Sequence, residues 1–205
     1  MIQIIVPTCK ASVNSVRNQI IQTSGIKPIV TCKAVSAPTN RNFGLSIALK
    51  NCKQDGNDII IMCDDDIKGF YEGWVNDLTK PFFDDKDLVM ISARLMHDNN
   101  TPGVMMDIVP DLSVDVQYVE TRALPSACIA FKWDCRIWFD ESFSVNNKGS
   151  GFEDLDFCWQ INARNKNSKY AIANKCKLIH KNEQKNQGSY MQIFHQKFKR
   201  KWGLD

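Results

Sequence analysis

Apolar positions fall in short runs separated by longer stretches of mixed polarity. Residues 2–6 form a short, mainly apolar run stopped by Pro7, as expected of a buried strand. Ser12 is placed to cap a helix reaching about Thr23, with Gly25 just past its end. Residues 26–32 read as a second strand. Residues 39–53 read as a helix whose apolar side carries Phe43, Leu45, Ile47 and Ala48. Residues 58–63 form a third strand, apolar almost throughout, as in a parallel sheet covered on both faces. This alternation predicts an α/β fold of Rossmann-like type, a mostly parallel sheet flanked by helices in one domain. After Lys80 the pattern changes. Residues 88–93, 116–119 and 127–133 read as strands and 98–110 as a loop. Residues 152–164 read as a helix, 170–173 and 177–180 as short strands. Tyr190, Phe194, Phe198 and Trp202 recur every four residues, so 190–202 reads as a terminal helix with one apolar stripe.

Composition narrows the class. Among 205 residues, 43% are hydrophobic and 24% charged, which excludes a mainly disordered chain, and 10 Gly with 7 Pro exclude a collagen-like one. No unbroken apolar run exceeds that of Ile59–Cys63, far short of the roughly 20 residues of a membrane span. The start of the chain lacks the basic and apolar pattern of a signal peptide, so the expected location is cytoplasmic. The eight cysteines, Cys9, Cys32, Cys52, Cys63, Cys128, Cys135, Cys158 and Cys176, include no Cys-x-x-Cys pair. They are expected to be reduced and mostly buried. The net charge of +3 hides an asymmetry. Residues 175–205 hold eight Lys/Arg against two Asp/Glu, whereas residues 1–174 hold 18 against 21. A slightly acidic body therefore carries a basic tail.

Four features carry candidate chemistry. Asp64-Asp65-Asp66 follows the third strand directly. Three adjacent carboxylates at a strand's carboxyl end need a cation, and Mg²⁺ or Mn²⁺ suits their hard oxygen ligands. The bland reading is a solvated acidic loop. The second feature is Gly149-Ser150-Gly151-Phe152-Glu153-Asp154-Leu155-Asp156-Phe157. Acids in a first helical turn complement the dipole, which is again the bland reading. Helical spacing puts Glu153, Asp156 and Gln160 on one face. Asp154 falls at the edge of the stripe Phe152, Leu155, Cys158 and Trp159, where partial desolvation favours a general base. His180, ending an apolar run, is a structural histidine or a metal ligand. In Pro38-Thr39-Asn40-Arg41-Asn42-Phe43-Gly44, Arg41 and the helix amides suit a diphosphate or nucleotide, against an ordinary helix start.

Taken in order, Val6-Pro7-Thr8, Asn40-Arg41-Asn42-Phe43-Gly44, Asp64-Asp65-Asp66, Gly151-Phe152-Glu153-Asp154-Leu155-Asp156-Phe157 and His180 resemble the pattern of a GT-A fold glycosyltransferase of the family-two type. The resemblance spans residues 1 to about 182. It implies a nucleotide-sugar donor, usually a UDP-sugar, contacted by Pro7, Thr8, Arg41, Asn42, Asp64 and Asp65. It implies Mn²⁺ or Mg²⁺ on Asp66, Asp64 and His180. Asp154 would be the base of an inverting transfer, with Glu153 or Asp156 holding an acceptor or donor hydroxyl; a retaining outcome stays open. Residues 1–93 would bind the donor, 94–182 the acceptor, and 183–205 would form the basic helix. Many relatives carry an acid just after the second strand, whereas residues 31–36 here have none, which leaves the donor's nucleobase open. The acceptor is also open. A saccharide is one class. Another is nucleic acid with a hydroxylated base, gripped by Lys197, Lys199, Arg200 and Lys201, as in bacteriophage enzymes that glycosylate DNA in the host cytoplasm. Two rival readings are a metal-dependent nucleotidyltransferase and a non-catalytic polyanion-binding module.

Overall fold

The computed structural model describes residues 1–8, 13–32, 36–52, 58–98, 113, 115–132, 137–145, 150–180 and 188–204. The Ser12 cap, the loop after Asp98, Cys9 and Cys135 lie outside these residues. The strands are β1 (Ile2–Pro7), β2 (Ile29–Thr31), β3 (Ile59–Cys63), β4 (Ile67–Lys68), β5 (Leu88–Met96), β6 (Tyr118–Thr121), β7 (Cys128–Lys132) and β8 (Lys169–His180). The helices are α1 (Asn14–Ser24), α2 (Ala37–Leu49), α3 (Trp74–Thr79), α4 (Pro81–Asp84), α5 (Glu153–Arg164) and α6 (Gly188–Trp202). One sheet runs in the order β2-β1-β3-β7-β5-β8-β4, and β6 also pairs with β8.

The expected α/β architecture is present, with a sheet more mixed than the alternation alone implies. β1 pairs in parallel with β2 and β3, and β5 in parallel with β8. β7 enters antiparallel between β3 and β5, while β4 and β6 pair antiparallel with β8. The unbroken apolar run of β3 follows from burial on both faces. Ile59, Ile61 and Cys63 join a core with Val16 and Ile20 of α1 and Trp74 and Leu78 of α3. Ile60 and Met62 join a second core with Leu45 and Ala48 of α2 and Phe157 and Ile161 of α5. Such double coverage forbids polar alternation.

Local chemistry sets the ends that matter. Gly25 closes α1 in the left-handed region at φ 70°, its N–H donating to Ile21 O. Ser36 Oγ accepts from Thr39 N at the start of α2. Gly44 is where α2 rests on β1: a Cβ there would meet Ile5 Cγ2 at 2.3 Å. The two short strands expected over 170–180 are one strand with an irregularity. The partner of β5 jumps from Ala173 opposite Ala93 to Lys177 opposite Arg94. That slip re-aims the end of β8 toward β4. The four-residue stripe of α6 does pack: Phe194 and Phe198 are buried with Phe143, beside Phe152, Leu155, Trp159, Tyr190 and Trp202. Among the described residues, no helix is long and apolar enough to cross a membrane.

Candidate active site

The acidic triplet sits in the turn that carries the chain from β3 to β4. Asp64 N donates to Ala127 O at 2.8 Å, so the β3–β7 ladder runs one step past β3 and fixes where the turn begins. β4 then pairs with the end of β8, placing Ile67 opposite His180. This pairing delivers the histidine. His180 Nε2 lies 3.4 Å from Asp66 Oδ1. One ligand atom from each of Asp64, Asp66 and His180 lies within 4.8 Å of the other two. Two carboxylate oxygens and an imidazole nitrogen, all partly exposed, could hold a metal ion. Asp65 turns instead to β1, where Thr8 Oγ1 donates to its Oδ2 at 2.5 Å. Thr8 is in turn held by β2 and α2: its N–H donates to Thr31 O, and Asn40 Nδ2 donates to its carbonyl. Pro7 ends β1 beside this knot and is buried.

Arg41 joins the triplet to the acidic start of α5. It is 4% exposed. Nη2 lies 3.2 Å from Asp64 Oδ1, and Nη1 lies 3.0 Å from Glu153 Oε1 and 3.6 Å from Asp154 Oδ1. The guanidinium also lies 5.4 Å from the centre of the Phe139 ring. Burial alone would lower its pKa, but the charges of Asp64, Asp154 and Glu153 outweigh that and keep it protonated. The guanidinium expected to grip a diphosphate thus bonds carboxylates here. Asn42, expected beside the donor, is likewise engaged within the protein. Its side chain donates to Phe139 O and Glu141 Oε1 and accepts from Phe139 N, clasping the segment before the short turn Glu141–Phe143.

Helix α5 starts from a strained residue. Phe152 has φ 66°, among the described residues the one non-glycine in that region, and its ring stacks on His195. Asp154 leaves its own helix end. Its Oδ2 accepts from Ser126 N at 3.0 Å and its Oδ1 from Ser126 Oγ at 2.8 Å. Its side chain is 23% exposed, which suits the partly desolvated base expected at the stripe's edge. The other two acids meet protein partners. Glu153 is buried against Arg41. Asp156 has no exposed surface and accepts from Gln160 Nε2, Lys201 Nζ and Trp202 Nε1. These bonds anchor α6 to α5 at the residue expected on a substrate hydroxyl. Lys201 also bonds Asp140, and Lys197 donates to Ser142 O. Of the four tail cations, Lys197 and Lys201 bond the body; Arg200 and Lys201 are exposed and Lys197 and Lys199 partly so. Ser126 carried no sequence signal: a lone serine before a strand has no pattern to mark it.

The charges respond to one another. Burial pushes the Asp64 carboxyl up to about 6, against Arg41 and with help from Asp66 and Asp154. Burial and the Asp154 charge also raise Glu153, and Arg41 opposes them. A hydrogen bond to Asp66 raises His180 against its burial. All three groups hold protons in the folded state at pH values where the unfolded chain has released them. Stability without metal must then fall as pH rises from about 4 to 7, because the folded state binds more protons there. A divalent ion has to displace those protons, so its stabilisation should grow over the same range. Melting in EDTA is expected to drop between pH 5 and 7.5, and millimolar Mn²⁺ to raise the midpoint more at pH 7.5 than at pH 5. An equal Mn²⁺ effect at both pH values would count against ligation by these groups.

No protein-family model matches the chain, and no curated protein matches it in sequence. Among solved structures it is similar to A197 from STIV, with 11% sequence identity and a TM-score of 0.54, over 89% of this chain and 94% of that chain. At that identity, the likeness shows a shared fold.

Proposed function

We propose that the protein is a metal-dependent glycosyltransferase of GT-A type. It moves a sugar from a nucleotide sugar, with a UDP-sugar as first candidate, to an acceptor hydroxyl. One observation carries the reading: Arg41 ties the Asp64–Asp66–His180 cluster, which could hold a cation, to the partly exposed carboxylate of Asp154. The acidic turn follows the carboxyl end of β3, beside that of β1, and ligands of open α/β sheets bind at such ends.

Asp66, Asp64 and His180 would hold the ion, which when bound neutralises charge on a leaving diphosphate. Thr8 and Asp65 lie beside it at the end of β1, within the donor half. Arg41 opposes the effect of burial on Asp64 and fixes Asp154 relative to it. Asp154 takes the proton of the acceptor hydroxyl as the sugar passes through an oxocarbenium-like state, which gives inversion when attack comes opposite the leaving group. Glu153 acts on Arg41. Lys199 and Arg200 are the tail cations open to a polyanionic acceptor.

The test is a panel of nucleotide sugars with Mn²⁺, followed by free nucleoside diphosphate and pyrophosphate. Metal-dependent diphosphate release that disappears in Asp66→Ala is the expected result. Full activity in excess chelator would overturn the reading, and pyrophosphate release would replace it with nucleotidyl transfer.

A further inference from the structure

The contacts of Asp154 point past the residues already given roles. An acid in a first helical turn ordinarily bonds the free amides of its own helix. Asp154 instead gives both oxygens to one residue on another element, Ser126, which lies in the segment leading into β7 and is 3% exposed. The main-chain N–H takes Oδ2 and the hydroxyl takes Oδ1. Arg41 Nη1 faces Oδ1 as well. An ionised carboxylate offers about four lone-pair sites. Oδ1 is thus turned to Ser126 and Arg41, while Oδ2 has Ser126 N as its only bonded donor among the described residues.

We infer that Ser126 is a positioning residue for Asp154: its paired donors fix the carboxylate plane and present the second lone pair of Oδ2 to the acceptor hydroxyl. This rests on the proposed role of Asp154 as base. Losing the hydroxyl removes one of the two bonds that fix the plane and lets it rotate. The consequence for transfer is a lower kcat at unchanged KM for the donor.

The deciding experiment does not depend on turnover. Carboxyl ¹³C spectra of aspartate-labelled, metal-free full-length protein are recorded at one neutral pH for wild type, Ser126→Ala and Ser126→Cys. The Asp154 signal is assigned by its loss in Asp154→Asn. Arg41 from α2, Glu153 beside it and Asp64 just after β3 surround this carboxyl in every variant, so the difference between variants reports Ser126. The Asp154 signal is expected to move and broaden in Ser126→Ala and to do so less in Ser126→Cys, which keeps the volume and a weak donor. An unchanged signal in a folded Ser126→Ala variant would overturn the inference. Whether Asp154 is the base is decided separately, by transfer in Asp154→Asn. The two ideas can therefore fail independently.

Discussion

Asp154→Asn is expected to lower transfer by a factor on the order of 10²–10⁴, the usual worth of a positioned general base. The substitution keeps the shape and removes the proton acceptor. Its amide oxygen can still accept from Ser126 Oγ, but the amide nitrogen then faces the Ser126 N–H, donor against donor. Some stability is lost with that contact, about 1–3 kcal/mol for an unsatisfied buried donor. Melting and Mn²⁺ affinity must therefore be measured beside turnover. The diagnostic pattern is a folded variant that binds Mn²⁺ as wild type does and has lost kcat. Transfer within a few-fold of wild type would leave Asp154 as an acid that ties α5 to the β7 segment. Glu153 would not inherit the role easily, since it is buried against Arg41 and would have to break that ion pair to reach a substrate.

The elements that bury continuous apolar runs were legible from sequence. β1, β3 and β5 follow from runs that must be covered on both faces, and α6 from its four-residue stripe. The acidic triplet and His180 were legible as residues, but their meeting was not. It depends on β4, two residues long, and on a slip in β8, neither of which has a periodicity to detect. Helical spacing put Glu153, Asp156 and Gln160 on one face but could not name what covers it. Each acid is buried here because a specific cation covers it, Arg41 for one and Lys201 for the other. Partners that distant in sequence leave no local trace. The same blindness explains Arg41, read as a ligand for phosphate because the carboxylates that occupy it lie on β3 and α5. It also explains the tail, whose spacing fixed the packing face while the inward turn of Lys197 and Lys201 came from Ser142, Asp140 and Asp156.

Arg41→Met is expected to be the most damaging single change to stability, about 3–5 kcal/mol at neutral pH, the cost of removing one partner from a buried ion network. Methionine keeps much of the stem's volume, so packing against Phe139 largely survives and the loss is electrostatic. Asp64, Glu153 and Asp154 would then face one another without the guanidinium. Arg41→Lys should recover part of the loss only, because a single ammonium cannot reach both Asp64 and Glu153 in the fork geometry of Nη1 and Nη2. Two conditions should rescue Arg41→Met if this account holds. Lowering the pH to about 5 lets Glu153 and Asp64, whose pKa values are already raised, take protons and remove charge. Adding Glu153→Gln removes the Glu153 charge at any pH, so the double variant should be more stable than Arg41→Met alone, a coupling that a double-mutant cycle measures directly. Saturating Mn²⁺ should act independently of Glu153, by neutralising Asp64 from the other side. If urea melts show the double variant to be no more stable than Arg41→Met, the three carboxylates do not repel through Arg41's place, and Arg41 contributes by packing alone.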